Sequence, residues 1–179
     1  MIKTSIEGLK LSENKVAGDE RGVLYELIPG GTNNESVKGG IGNIYAAVAQ
    51  EKGVPRAGHF HNTNVENIFT LTGSALWFLK DFREKSPTKG ESFLIILGSE
   101  HVKIEDLPQY TLKDKKLIHL HIPTGVYHTF WPLTDNPVMV VSVASHPHNP
   151  EDHFSPPVEE DKKLQKVVEK LNLRFPKKR

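Results

Sequence analysis

Three histidines and one glutamate fall at spacings that suit a divalent cation. His59 and His61 are one residue apart, Glu66 follows five residues after His61, and His128 lies far downstream behind Pro123-Thr124-Gly125. Residues i and i+2 of a β-strand project to the same face. At a rise of about 3.3 Å per residue, both rings of the His-x-His pair can reach one ion at about 2.1 Å. A glutamate opening the next strand adds a hard oxygen, and a Pro–Gly turn that reverses the chain can deliver His128 to the same cavity. Three imidazoles and a carboxylate form a donor set for one divalent first-row metal. Zn²⁺ fits best, on its preference for imidazole and the lack of any evident redox partner. Ni²⁺, Mn²⁺ and Fe²⁺ suit the same atoms.

The remaining histidines have plainer readings. His119 and His121 form a second His-x-His, alternating with Ile118, Leu120 and Ile122, and no carboxylate follows at a matching distance. They are expected to be structural. His146, His148 and His153 sit in a Pro- and Asn-rich segment after the last apolar run, where a loop can cover a cavity mouth. His101 is expected at the surface.

The elements that must hold these groups are short. Runs at 22–28, 40–48, 65–71, 75–81, 92–97, 116–122 and 138–145 alternate with period two or are rich in β-formers. Gly- and Pro-containing turns separate them, a pattern that predicts an all-β sandwich or barrel. Only 159–173 has helical period, with Leu164, Val167, Val168 and Leu171 on one stripe after Pro156-Pro157 and before Pro176. That helix is expected to pack outside the barrel, ahead of a solvated tail, Lys177-Lys178-Arg179. A length of 179 residues implies one domain, with the barrel at about 19–146. The chain has no Cys, so disulfide and thiolate chemistry are excluded. Its 23 basic and 22 acidic side chains give a formal charge of +1, which offers nucleic acid and membrane surfaces no electrostatic footing. With no apolar run long enough to span a membrane and no signal-type start, a cytoplasmic protein is expected.

Gly53-x5-His59-x-His61-x4-Glu66-x6-Gly73 resembles the first cupin motif at every fixed position, and Pro123-x-Gly125-x-x-His128 resembles the core of the second. A narrower resemblance is to the dTDP-4-dehydrorhamnose 3,5-epimerase (RmlC-like) branch of the cupins. It is carried by Arg21-Gly22-Val23-Leu24-Tyr25-Glu26, by Arg56-Ala57-Gly58-His59-Phe60-His61, and by Asp81-Phe82-Arg83-Glu84-Lys85-Ser86-Pro87-Thr88. Ile122-Pro123-Thr124-Gly125-Val126-Tyr127-His128 and Asn149-Pro150-Glu151-Asp152 extend it, so that the matches run in order from about 19 to 152. The resemblance implies a double-stranded β-helix (a jelly-roll barrel) with a C-terminal α-helix, a homodimer, and epimerase activity on a nucleotide-linked 4-keto-deoxyhexose for polysaccharide synthesis. It further implies that Arg21 and Glu26 line a nucleotide site shared between protomers. Two positions depart from that family: Glu66 stands where the epimerases carry a Lys, and their Tyr falls near Ser142. Their catalytic base aligns with His59.

An ion at the His–Glu set would account for the missing Lys, since either can stabilise the negative charge that builds on a ketone oxygen as a neighbouring proton leaves. A histidine bound to that ion has no lone pair left for a proton, so the proton carrier is sought in Tyr127, His146 or His148. Arg21, Arg56 and Arg83 suit a diphosphate, and Trp131 is a candidate pocket wall. The cupin barrel hosts many chemistries. A metal-dependent dioxygenase, an isomerase of free sugars or sugar phosphates, and a non-enzymatic small-molecule binder are therefore the alternatives.

Overall fold

The Gly and Pro punctuation divides the chain into short strands. The computed structural model describes residues 2–30 and 34–176, so the basic tail at 177–179 lies outside the described residues. In chain order the strands are β1 (Lys10–Asn14), β2 (Val16–Asp19), β3 (Gly22–Tyr25), β4 (Asn43–Ala49), β5 (Arg56–His59) and β6 (Glu66–Thr72). They continue as β7 (Ser74–Asp81), β8 (Ser92–Gly98), β9 (Gln109–Thr111), β10 (Leu117–Ile122), β11 (Val126–Pro132) and β12 (Val138–Ala144), followed by one helix, α1 (Lys162–Lys170).

Two five-stranded sheets face each other, ordered β1-β10-β6-β12-β4 and β5-β11-β7-β8-β9, while β2 and β3 form a separate hairpin. This is the all-β sandwich expected from the strand pattern, in the jelly-roll form that the family resemblance implies. Pairing is antiparallel except between β8 and β9. The main core lies between the sheets and includes Leu11, Ile68 and Leu120 from one and Trp77, Leu79, Ile95 and Phe130 from the other. The outer face of the β7/β11 sheet is buried too. Leu76, Phe78, Tyr127 and Trp131 pack there beneath Val158, Leu164 and Val168. A third cluster, with Val37, Phe69, Leu117 and Val143, covers the outside of the other sheet.

Burial on both faces explains which strands escaped the period-two pattern. Every side chain of β11 is buried, so its sequence does not alternate between apolar and polar. β1 pairs with β10 over its whole length, which carries the sheet to the N-terminal side of residue 19. Two motif glycines have steric reasons. Gly73 turns the chain between β6 and β7 at φ 59°, where a Cβ would stand 2.8 Å from Val138 Cγ2. Gly125 has φ 72°, and a Cβ there would lie 2.3 Å from Arg83 Cγ.

The helix is shorter than its apolar stripe suggested, because its first turn is set by a cap. Asp161 accepts hydrogen bonds from the amides of Lys163 (3.0 Å) and Leu164 (3.1 Å). The same carboxylate accepts from Lys80 Nζ at 2.7 Å, tying α1 to β7. Burial acts to raise the Asp161 pKa, but Lys80 and the Leu164 amide outweigh it and hold the carboxyl below its usual range. A depressed folded-state pKa gives stability that is complete above the unfolded value of about 3.9 and lost as pH falls through the folded one. Asp161→Ala should therefore unfold about 1–3 kcal/mol more easily at pH 7 in urea titrations. The gap from the parent chain should narrow once the pH drops below about 4. A gap that stays constant at acid pH would refute this account of the cap.

Candidate active site

The four cation-ligand candidates converge inside the sandwich. His59 ends β5, His128 is its cross-strand partner on β11, and Glu66 opens β6 in the facing sheet. His61 lies just past β5, beyond Phe60, whose amide and carbonyl both bond to Phe154 (2.9 and 3.1 Å). One donor atom from each of His59, His61, Glu66 and His128 lies within 4.8 Å of the others.

The hydrogen bonds around the rings fix which nitrogens face inward. His61 Nδ1 is 2.6 Å from the Asp152 carbonyl and His128 Nδ1 is 3.3 Å from the Val126 carbonyl. A carbonyl only accepts, so each Nδ1 carries a proton and each Nε2 is the nitrogen turned inward. Both Nε2 atoms face Glu66. Oε2 of Glu66 stands 2.8 Å from His128 Nε2 and 3.8 Å from His61 Nε2. Even so, it is the one buried side-chain polar atom among the described residues with no aligned hydrogen-bond partner.

Glu66 is a carboxylate here. Burial acts to raise its pKa, but His128, the Tyr45 hydroxyl and His61 outweigh it and hold the carboxyl well below the usual range. Burial, followed by His128 and His61, pushes His59 down to about 2, leaving its ring neutral. A neutral His59 beside an anionic Glu66 is a protonation pattern suited to cation binding.

The other oxygen of Glu66 is fully engaged. Oε1 accepts from the Tyr45 hydroxyl and, at 3.0 Å, from Ser142 Oγ. Tyr45 and Ser142 are direct cross-strand partners on β4 and β12. Burial and the Glu66 charge raise the Tyr45 pKa, so the phenol keeps its proton and donates. Sequence reading did not single out Tyr45. It lies on the edge strand of its sheet, 21 residues before Glu66, and no motif links the two.

A cavity of about 680 Å³ opens from this cluster, and Arg56, His146, His148 and His153 stand among its lining residues. His153 is the deepest of the loop histidines. Its ring stacks on His59 at 4.4 Å and meets His61 edge-on at 4.7 Å. Asp152 secures this segment, accepting from the Asn62 amide (2.7 Å), the Thr63 amide (3.2 Å) and the Thr63 hydroxyl (2.6 Å).

Five other candidates lie elsewhere. Strand alternation puts His128 inside and its neighbour Tyr127 outside, in the cluster under α1. Trp131 is on that outer face as well, and its Nε1 donates to the Arg174 carbonyl at 2.7 Å. Neither can touch a molecule in the cavity. Arg83 is clasped by Asp81, with Nε on Oδ1 (2.8 Å) and a terminal nitrogen on Oδ2 (2.7 Å). Ser86 and Thr88 also donate to Asp81 Oδ2, which makes the Asp-x-Arg-x-x-Ser-Pro-Thr run a self-contained turn, not a phosphate clamp. Arg21, paired with Asp19, and Glu26 are exposed on or beside the β2–β3 hairpin and are not among the residues lining the cavity. His119 and His121 both bond to Asn67 Oδ1 (2.8 and 2.9 Å) on the outer side of β6.

Residues 3–165 match the family model described as dTDP-4-dehydrorhamnose 3,5-epimerase. The chain belongs to that family. It is 29% identical over 146 residues to a spore coat polysaccharide biosynthesis protein, SpsL, of Bacillus subtilis (strain 168), covering 82% of this chain and 84% of the relative. It is 28% identical over 149 residues to a dTDP-4-dehydrorhamnose 3,5-epimerase of Streptomyces griseus, covering 78% of this chain and 64% of that protein. The crystal structure of a Legionella pneumophila epimerase in complex with dTDP-4-keto-L-rhamnose superposes with a TM-score of 0.70 at 24% identity, over 98% of this chain and 82% of that one. The RmlC-like cupin fold follows from that likeness.

Since three hydrogen bonds to Asp152 hold the mouth segment, Asp152→Ala should cost about 1–3 kcal/mol of stability. Hydrogen exchange should accelerate first at the Asn62 and Thr63 amides. Unchanged protection there would mean that other contacts hold the segment.

Proposed function

We propose that this chain epimerises a nucleotide-linked 4-keto-deoxyhexose at a carbon beside the ketone, supplying a sugar for polysaccharide synthesis, and that it does so with a divalent ion held by His59, His61, Glu66 and His128. Family membership and the spore coat polysaccharide relative support the reaction class. The observation that carries the ion is Glu66 Oε2, which is buried, lacks an aligned hydrogen bond and faces the Nε2 atoms of two imidazoles. Zn²⁺ suits this donor set best, and Ni²⁺, Mn²⁺ or Fe²⁺ would occupy the same atoms.

Such an ion supplies positive charge for a ketone oxygen that becomes anionic as the adjacent C–H proton leaves. The protein's own residues do the remaining work. Arg56 at the mouth meets the diphosphate. The sandwich walls exclude water from the sugar. The proton is carried by an imidazole of the mouth segment, with His153 better placed than His146 or His148 because it stacks against His59. Tyr127 takes no part.

A homodimer completes this reading. Val23 and Leu24 of the hairpin and Ile44 and Val48 of edge strand β4 are 46–63% exposed, an apolar surface suited to a second copy. There Arg21 and Glu26 of one protomer would serve the nucleotide site of the other.

The test is solvent deuterium exchange into a panel of dTDP-, UDP- and GDP-linked 4-keto-deoxyhexoses, with and without chelator. The expected result is exchange next to the ketone that chelation abolishes and Zn²⁺ restores. No exchange into any member would overturn the epimerase reading, whereas exchange indifferent to chelation would overturn the ion alone. Arg56→Ala should raise KM about 10- to 100-fold, the worth of a charged hydrogen bond to phosphate, with kcat little changed.

A further inference from the structure

We propose that Tyr45, assisted by Ser142, is the positioning residue that makes Glu66 a one-oxygen ligand: the two hydroxyls occupy Oε1, and Oε2 alone is turned to the cation site. This rests on the ion reading above and concerns how that ion is held.

The argument begins with strand register. On the β6–β12 ladder Glu66 sits opposite Ala144, and on the β12–β4 ladder Ser142 sits opposite Tyr45. Glu66, Ser142 and Tyr45 thus come from three adjacent strands and share the face that lines the cavity. Each hydroxyl has one proton to give, and both are given to Oε1. The two oxygens of one carboxylate consequently have opposite surroundings. Oε1 accepts twice, while Oε2 accepts from nothing and lies nearest the imidazole nitrogens.

Packing does not account for Tyr45. Its residue is 42% exposed on an edge strand, and it belongs to none of the three apolar clusters formed by the described residues. What it contributes to the interior is the hydroxyl. With that hydroxyl removed, Oε1 keeps only the bond from Ser142 and has a free lone pair beside the cation site. The carboxylate then gains a reason to rotate and chelate through both oxygens. A bond of this kind, from an outer group to a ligating carboxylate, fixes both affinity and coordination number.

The experiment uses the full chain loaded with Zn²⁺, for affinity by chelator competition, and with Co²⁺, whose visible absorption weakens as coordination number rises. Tyr45→Phe should bind Zn²⁺ about 10- to 100-fold more weakly. It should also show a weaker, shifted Co²⁺ spectrum while its melting temperature barely moves. Ser142→Ala should shift the spectrum in the same direction by less. Tyr127→Phe, which removes the other buried phenol from the outer face, should match the parent in both measurements. If Tyr45→Phe matches the parent in affinity and spectrum, the inference is overturned and the ion reading stands. If the parent chain takes up neither metal, both fall together.

Discussion

A carboxylate buried at the junction of two sheets is the constraint around which this molecule is organised. Glu66 is 2% exposed, and a charge in that position is strongly unfavourable unless its surroundings compensate. The compensation comes from four directions. Two hydroxyls approach from β4 and β12 on one side, and two imidazoles approach from β11 and the end of β5 on the other. The backbone turns the imidazoles to the task, because the carbonyls of Asp152 and Val126 take the Nδ1 protons. Distant parts of the fold serve the same end. Gly73 returns the chain after β6, and Gly125 lets β11 begin where His128 must stand.

The contrast with the rest of the molecule lies in how other buried acids are satisfied. Asp81 and Asp161 are matched to an arginine and a lysine respectively, with hydroxyls or amides taking the remaining lone pairs. Asp161 fastens α1 to β7, and Asp81 closes the turn after β7. Among the buried acids of the described residues, Glu66 is left with an oxygen that has no aligned hydrogen bond, and it lines the cavity.

The four converging residues could be picked out of the sequence because their order is local. One turn of chain joins His61 to Glu66, and a Pro-x-Gly turn announces His128. The all-β sandwich could be read for a similar reason, since turn formers recur between short apolar runs, whereas its jelly-roll form was implied by the family resemblance. Misreadings arose where long-range packing decided the outcome. Tyr127 and Trp131 adjoin His128 in sequence but face away from it, and α1 buries the outside of their sheet, so exposure could not sort one face from the other. Arg83 looked like an anion binder until its partner two residues upstream was seen to hold it. Tyr45 was invisible because its meaning depends on a register between strands nearly a hundred residues apart.

Asp152 belongs to two structures at once. Its side chain latches the mouth segment to the turn after β5, and its carbonyl holds the tautomer of His61. Lifting that latch removes the acceptor from Nδ1, so the ring is no longer compelled to offer its other nitrogen inward. Any change that frees the mouth segment therefore also frees the His61 ring to turn.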